Sequence, residues 1–219
     1  MKIVEAHAII ESMPVQADLQ HLEEIGRVCY KSEGKIAPGS LLPFLRKIIA
    51  SGHESVIEHV SATVRFIVDR GVSHELVRHR LASYSQTSTR YCTHGSDNGE
   101  VTFINPCFWP SSMTAEEASR RDEWLRAMAH AEAHYLKLIA MGASPQEARS
   151  VLPNSLKTEI VMTANLREWR HVFRLRTSPK AHPQMLEIMI PLLAVFKREL
   201  EPIFDDFEVP TGGFTFVRR

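Results

Sequence analysis

Residues 78–91 read Arg78-His79-Arg80-Leu81-Ala82-Ser83-Tyr84-Ser85-Gln86-Thr87-Ser88-Thr89-Arg90-Tyr91. Arginine holds phosphate through paired N–H bonds, hydroxyls add neutral donors, and guanidinium and tyrosine faces stack on flat rings. The set suits a phosphorylated planar ligand. It also describes a basic helix end running into a solvated loop, and composition alone does not separate the two. At 100° per residue, Arg78, His79 and Arg80 on a regular helix would fan over roughly 200°. Either the helix stops here or the three serve different groups, including groups across a subunit contact. Ser88 is read as a phosphate ligand. A serine nucleophile needs an oriented base, and the sequence has no Gly-x-Ser-x-Gly elbow.

A second polar cluster, Gly52-His53-Glu54-Ser55-Val56-Ile57-Glu58-His59, precedes a strand pattern. Taken alone, its histidines are ordinary loop residues, because no Cys or Asp stands at ligand spacing to complete a metal set. His74 and His79 lie five positions apart. They diverge by about 140° on a helix, whereas a zinc-binding helix places its histidines four apart on one face. No metal is expected. No Gly-x-Gly-x-x-Gly run supports a Rossmann site, so a phosphate-rich cofactor would be held by side chains.

The elements that must position these residues follow from periodicity. Residues 2–12 read as a first strand. A helix opens at Asp18 with Leu19, Leu22, Ile25 and Val28 on one face, and Cys29 and Tyr30 after it are expected to be buried. Ser40 caps a second helix (Leu41, Phe44, Leu45, Ile48), which Gly52 stops. Residues 60–69 alternate as a half-buried strand. Ser73 is expected to cap a short helix over 73–80, and 81–91 reads as an extended loop. Residues 93–99 are turn-like, and 101–104 form a short strand. Thr114 and Glu117 make a capping box for the longest helix, to about residue 141, with Leu125, Met128, Ala129, Leu136 and Ile139 facing the core. Ser144-Pro145-Gln146-Glu147 opens a short helix that carries Arg149. Residues 155–164 form a strand, and Asn165 caps a helix whose Arg167, Arg170 and Arg174 share one face that solvent could account for. Residues 183–204 form the last helix, bent at Pro191, and 209–219 form a peripheral tail. The fold class is α+β (mixed α/β), a single domain over 1–219 with a mainly antiparallel sheet packed by long helices.

The chain of 219 residues has 26 basic and 26 acidic side chains, with 44% hydrophobic and 24% charged residues. This is an ordinary globular balance with no basic excess for nucleic acid. Cys29, Cys92 and Cys107 are odd in number and widely spaced, which argues against a disulfide framework and for a reducing, cytoplasmic setting. No membrane segment or signal peptide is visible.

Four segments together resemble the flavin-dependent thymidylate synthases. They are Arg-His-Arg, seven residues and Ser88 with Arg90-Tyr91; the Gly52–His59 cluster; Glu147-Ala148-Arg149-Ser150-Val151-Leu152-Pro153; and Leu175-Arg176. They span His53 to Arg176. The resemblance implies reductive methylation of dUMP to dTMP. The carbon comes from 5,10-methylenetetrahydrofolate and the hydride from reduced FAD, with NADPH as reductant and no enzyme nucleophile. It implies dUMP contacts at Glu75, Arg78, Gln86, Ser88, Arg90, Arg149 and Arg176, with Arg149 and Arg176 catalytic. FAD contacts fall to His53, Ser55, Glu58, Arg78, His79, Arg80, Asn165 and His171. It also implies a homotetramer with sites shared between subunits. The chain departs from the pattern at Ser85-Gln86, where Asn-Glu is frequent. It departs again at His171, where some relatives carry an amide, and at His182, which comes late after Pro179-Lys180. The other classes weighed are a nucleotide-binding regulatory module and a metal-dependent hydrolase using His53, His59, His74 and His79.

Overall fold

The computed structural model describes residues 1–92, 94, 99–109 and 114–210. Most of the turn expected at 93–99 and most of the tail expected from 209 lie outside these residues. The strands are β1 (Lys2–Val4), β2 (His7–Ser12), β3 (Ser61–Asp69), β4 (Ala82–Gln86), β5 (Thr102–Ile104) and β6 (Lys157–Asn165). The helices are α1 (Gln16–Val28), α2 (Leu41–Ala50), α3 (Arg70–Leu76), α4 (Ala115–Ala140), α5 (Pro145–Ala148), α6 (Leu166–Arg176) and α7 (Pro183–Glu199). The fold is α+β with a mainly antiparallel sheet and long helices. Four strands pair in the order β2-β3-β6-β4, and β1 pairs in parallel with β5.

The residues group into two compact units. One holds 1–7, 66–78 and 85–160; the other holds 8–65, 79–84 and 161–219. The first unit has a core of Val101, Phe103, Met128, Tyr135, Ala148 and Leu156. Met128 and Tyr135 of α4 are buried, and Leu136 and Ile139 of the expected stripe pack against this core while partly buried. Leu125, Leu136 and Ile139 are half-buried, and Ala129 is exposed. The Thr114–Glu117 and Ser144–Glu147 capping boxes both form.

The second unit is built on aromatic packing. Trp169, Phe173, Phe196 and Phe204 are fully buried, with ring centroids 5.1 Å apart for Trp169–Phe196 and for Phe173–Phe196. Each such pair adds about 0.5–1.5 kcal/mol beyond its buried area. The Trp169 indole N–H donates to the Ala62 carbonyl at 3.1 Å and ties α6 to β3. Helix α1 approaches α2 at Gly26, where an added Cβ would stand 2.6 Å from the Phe44 ring. Gly52 ends α2 with φ of 70°, a conformation that costs glycine little.

Several local expectations are corrected. The first strand breaks after Val4 into β1 and β2. Val28, Cys29 and Tyr30 are exposed. Asp69 caps α3, accepting the Val72 N–H at 2.7 Å, and the Ser73 hydroxyl instead donates to the Arg70 carbonyl. Helix α3 ends at Leu76, so the Arg78-His79-Arg80 triplet lies beyond it and the problem of helical fanning does not arise. The stretch expected as a loop contains β4, because its polar alternation suits a strand with one half-buried face. Helix α7 stops at Glu199, and turns follow.

Candidate active site

In the second unit, His79 is buried at 3% exposure, and groups from α6 surround its ring. The Arg176 Nε–H donates to His79 Nε2 at 2.9 Å. Glu168 Oε1 lies 3.4 Å from His79 Nδ1. The His171 ring meets His79 edge-on with centroids 5.6 Å apart. Burial, then the charges of Arg176 and His171, lower the His79 pKa to about 4, so the ring is neutral at pH 7. A neutral imidazole that accepts at Nε2 carries its proton on Nδ1, facing Glu168. Burial raises the Glu168 pKa, and His171 opposes the shift. From β4, the Tyr84 hydroxyl donates to the His79 carbonyl at 2.8 Å. Burial and Glu168 push Tyr84 up to about 12, against Arg176.

Next to this cluster lies a cavity of about 610 Å3, lined by Glu54, Glu58, Leu81, Asn165, Arg167, Glu168, His171 and Arg174. Of the residues expected to hold FAD, Glu58, Asn165 and His171 line it. Arg167 pairs with Glu58, and Arg174 donates to Glu54 at 2.9 Å. His53, also expected at the flavin, lines a second cavity of about 540 Å3 with Arg27, Tyr30, Ser32, Lys35 and Lys47 among its walls. The Tyr30 hydroxyl and His53 Nδ1 are 2.9 Å apart. Ser55 is exposed on the 3-10 turn Glu54–His59, and Arg80 is exposed.

Arg170 overturns the solvated-face reading of α6. It is 1% exposed, and its guanidinium donates twice to Asp206 at 2.7 Å, to Glu54 at 2.9 Å and to the Ile203 carbonyl. It also stacks on Phe207 at 5.1 Å. Helix α6 is therefore clamped by one buried arginine while His171, Arg174 and Arg176 face outward or into the site.

The first unit holds the remaining predicted residues. Arg149 begins a 3-10 turn after α5, and its Nη1 donates to the buried Thr89 hydroxyl at 2.8 Å. Burial, then the Arg149 charge, lower the Arg70 pKa. The Arg149 charge thus makes it costlier for Arg70 to carry its own. Ser88 Oγ accepts the Arg90 amide at 3.2 Å, which leaves its own hydroxyl proton for a ligand. Arg90 lies over the Tyr91 ring at 5.4 Å. Gln86 is turned inward, its amide donating to Ser73 at 3.0 Å and to Thr158 at 3.2 Å. Glu75 is half-buried on α3, and Arg78 is exposed just beyond it. Among the described residues, Arg78, Arg80 and Arg90 form no ion pair with a carboxylate.

Three participants were missed from sequence. Glu168 resembled a capping-box glutamate, Arg70 followed a strand as an ordinary charge, and Thr89 was one hydroxyl among several. Among metal candidates, His79 groups with Glu168 and His171, whose ligand-type atoms lie within 4.8 Å of one another, and not with the histidines proposed from sequence.

These features define an α+β protein with a buried neutral histidine beside α6 and, among the described residues, arginines that pair with no carboxylate. The profile of the thymidylate synthase complementing protein family matches residues 9–201, and the chain belongs to that family. The flavin-dependent thymidylate synthase of Geobacter sulfurreducens is 36% identical over 203 residues, covering 86% of this chain and 84% of that enzyme. That of Pyrococcus abyssi is 36% identical over 174 residues, covering 77% and 68%. Among solved structures, the UMP/dUMP methylase PolB of Streptomyces cacaoi bound with 5-Br dUMP superposes with TM-score 0.79. It is 22% identical and covers 96% of this chain and all of that one, which establishes a shared fold. Among the described residues no helix is long and apolar enough to cross a membrane.

Proposed function

We propose that this protein is a flavin-dependent thymidylate synthase that methylates dUMP to dTMP. One observation of the site carries this reading: among the described residues, the predicted ligand arginines Arg78, Arg80 and Arg90 have no carboxylate partners, although acidic and basic side chains are equal in number, 26 each. Unpaired guanidiniums suit phosphate. The donor set fits FAD, with a neutral His79, the exposed His171 ring, Asn165 and the cavity on α6. When bound, the flavin supplies the hydride, NADPH reduces it, and 5,10-methylenetetrahydrofolate provides the carbon.

The protein's own part is positioning and charge. The Ser88 hydroxyl and Arg90 bind the nucleotide phosphate. Arg149, held by Thr89, and Arg176, held by His79, stabilise negative charge developing on the pyrimidine. Ser88 has no base as its described partner, which supports a binding role and not a nucleophilic one. The enzyme is a homotetramer in which Arg90 of one chain and Arg176 of another serve one site.

The test has two parts. The purified protein should absorb as a flavoprotein and form dTMP from dUMP only with methylenetetrahydrofolate and NADPH present. Mixing and reassembling inactive Arg90→Ala and Arg176→Ala chains should restore part of the activity. Absent flavin and absent dTMP formation would overturn the reading. Verified mixed tetramers no more active than either parent would overturn the shared site alone.

A further inference from the structure

Three helices carry glutamate at their third position. In α4 and α5 that glutamate reaches back to the cap: the Thr114 N–H donates to Glu117 at 2.8 Å, and the Ser144 N–H to Glu147 at 2.8 Å. In α6 the cap residue Asn165 accepts the Glu168 N–H at 2.8 Å, but the Glu168 carboxylate does not reach back. It is buried, 3.4 Å from His79 Nδ1, at a cost in desolvation that a solvent-facing cap would avoid. A helix-capping role does not account for that placement.

The geometry around His79 does. The Arg176 Nε–H requires a bare Nε2 lone pair as its acceptor at 2.9 Å. Without a partner at Nδ1, a neutral imidazole exchanges its proton between the two nitrogens. With the proton on Nε2, two donors would face each other and Arg176 would be pushed away. Glu168 Oε1 stands 3.4 Å from Nδ1, just beyond ordinary hydrogen-bond length, where a tightened contact would accept the Nδ1 proton and exclude that tautomer. The same geometry disfavours a divalent ion at His79, Glu168 and His171. Coordination through Nδ1 would move the proton to Nε2, against the Arg176 donor, and would set a cation beside a guanidinium.

We propose that Glu168 is a positioning residue: by accepting the Nδ1 proton of His79 it keeps the Nε2 lone pair on Arg176 and fixes that guanidinium in the site. Its kinetic consequence rests on the reading of Arg176 as a substrate-facing residue; its structural part does not. His171 from α6 meets this ring edge-on and Tyr84 from β4 donates to the His79 carbonyl, and both titrate, so the test reads the tautomer directly rather than a pH profile.

The experiment uses the full-length purified protein with 15N-labelled histidine. Ring 15N shifts distinguish a protonated from a bare nitrogen. Wild type and Glu168→Gln, whose amide oxygen still accepts, should both show His79 protonated on Nδ1. Glu168→Met, similar in size but without an acceptor, should show a mixture or the Nε2–H form, with kcat lower by about tenfold, the worth of one hydrogen bond. In an Arg176→Lys background the Met substitution should cost less than about twofold more, because coupled residues are not additive. A wild-type ring protonated on Nε2, an unchanged tautomer in folded Glu168→Met, or full additivity with Arg176→Lys would overturn the proposal. A wild-type protein with the stated tautomer but no dTMP formation would overturn the proposed function and leave the positioning role standing.

Discussion

Replacing Arg170 with alanine removes the clamp on α6. Breaking a buried ion pair from one side costs about 3–5 kcal/mol, because the abandoned charge stays desolvated. Here the abandoned carboxylates differ. The Asp206 side chain is 48% exposed and can rehydrate, and Glu54, at 13%, keeps Arg174 at 2.9 Å. These escapes place the loss at the lower end, about 3 kcal/mol. At roughly 2–4 °C per kcal/mol for a chain of this size, Tm should fall by about 6–12 °C. Arg174, in the same cluster but half-exposed, should lose only about 0–1 kcal/mol as alanine. Urea unfolding at fixed protein concentration measures both. Acid provides a second reading. Burial pushes Glu54 and Asp206 up, but their arginines outweigh it and hold both carboxyls below their ordinary values. Stability from a lowered carboxyl is present above its unfolded pKa and is lost as pH falls through the folded one. The gap between wild type and Arg170→Ala should therefore narrow in acid. An Arg170→Ala loss under about 1 kcal/mol, or one equal to that of Arg174→Ala, would refute the clamp.

Three further outcomes follow from the site. His79, held at about 4 by burial and then by Arg176 and His171, stays neutral where the unfolded ring, near its ordinary value of 6.5, takes a proton. Its contribution to stability should be full above about pH 6.5 and decline toward pH 4, a slope that urea midpoints should show to be reduced in His79→Gln. Arg78→Ala should change stability by less than about 0.5 kcal/mol yet lower flavin or nucleotide retention in titration; full retention of both would remove Arg78 from the site. Cys92→Ser should keep turnover within about fivefold, under roughly 1 kcal/mol of barrier, and a loss of several orders of magnitude in a folded variant would point to a nucleophile.

Periodicity located the strand that became β3, because alternation reports a sheet face directly, and the mixed apolar and charged run at 155–164 located β6. Apolar spacing located α2, and the Asn165 cap with arginines at helical spacing located α6. Periodicity missed β4, whose polar residues carry no apolar alternation and gain strand form from pairing beside β6. It misplaced the cap of α3, since Asp69 and Ser73 are both capping types and only backbone geometry decides between them. Arg149, Arg176 and Ser88 were legible through linear motifs. Glu168 was not, because a third-position glutamate looks the same in sequence whether it turns to its own cap or to a buried imidazole. Arg170 was hidden by its neighbours: three arginines at helical spacing give no sign of which one is buried, and its partner Asp206 lies 36 residues away.

The two compact units are interleaved along the chain in six segments, so the polypeptide passes between them five times. No contiguous fragment contains one unit whole without segments of the other. A proteolytic nick or a premature stop cannot release a working half, and neither unit can be cloned, exchanged or fused as a cassette. New capability in this scaffold has to enter by substitution or by insertion at exposed turns, not by shuffling halves.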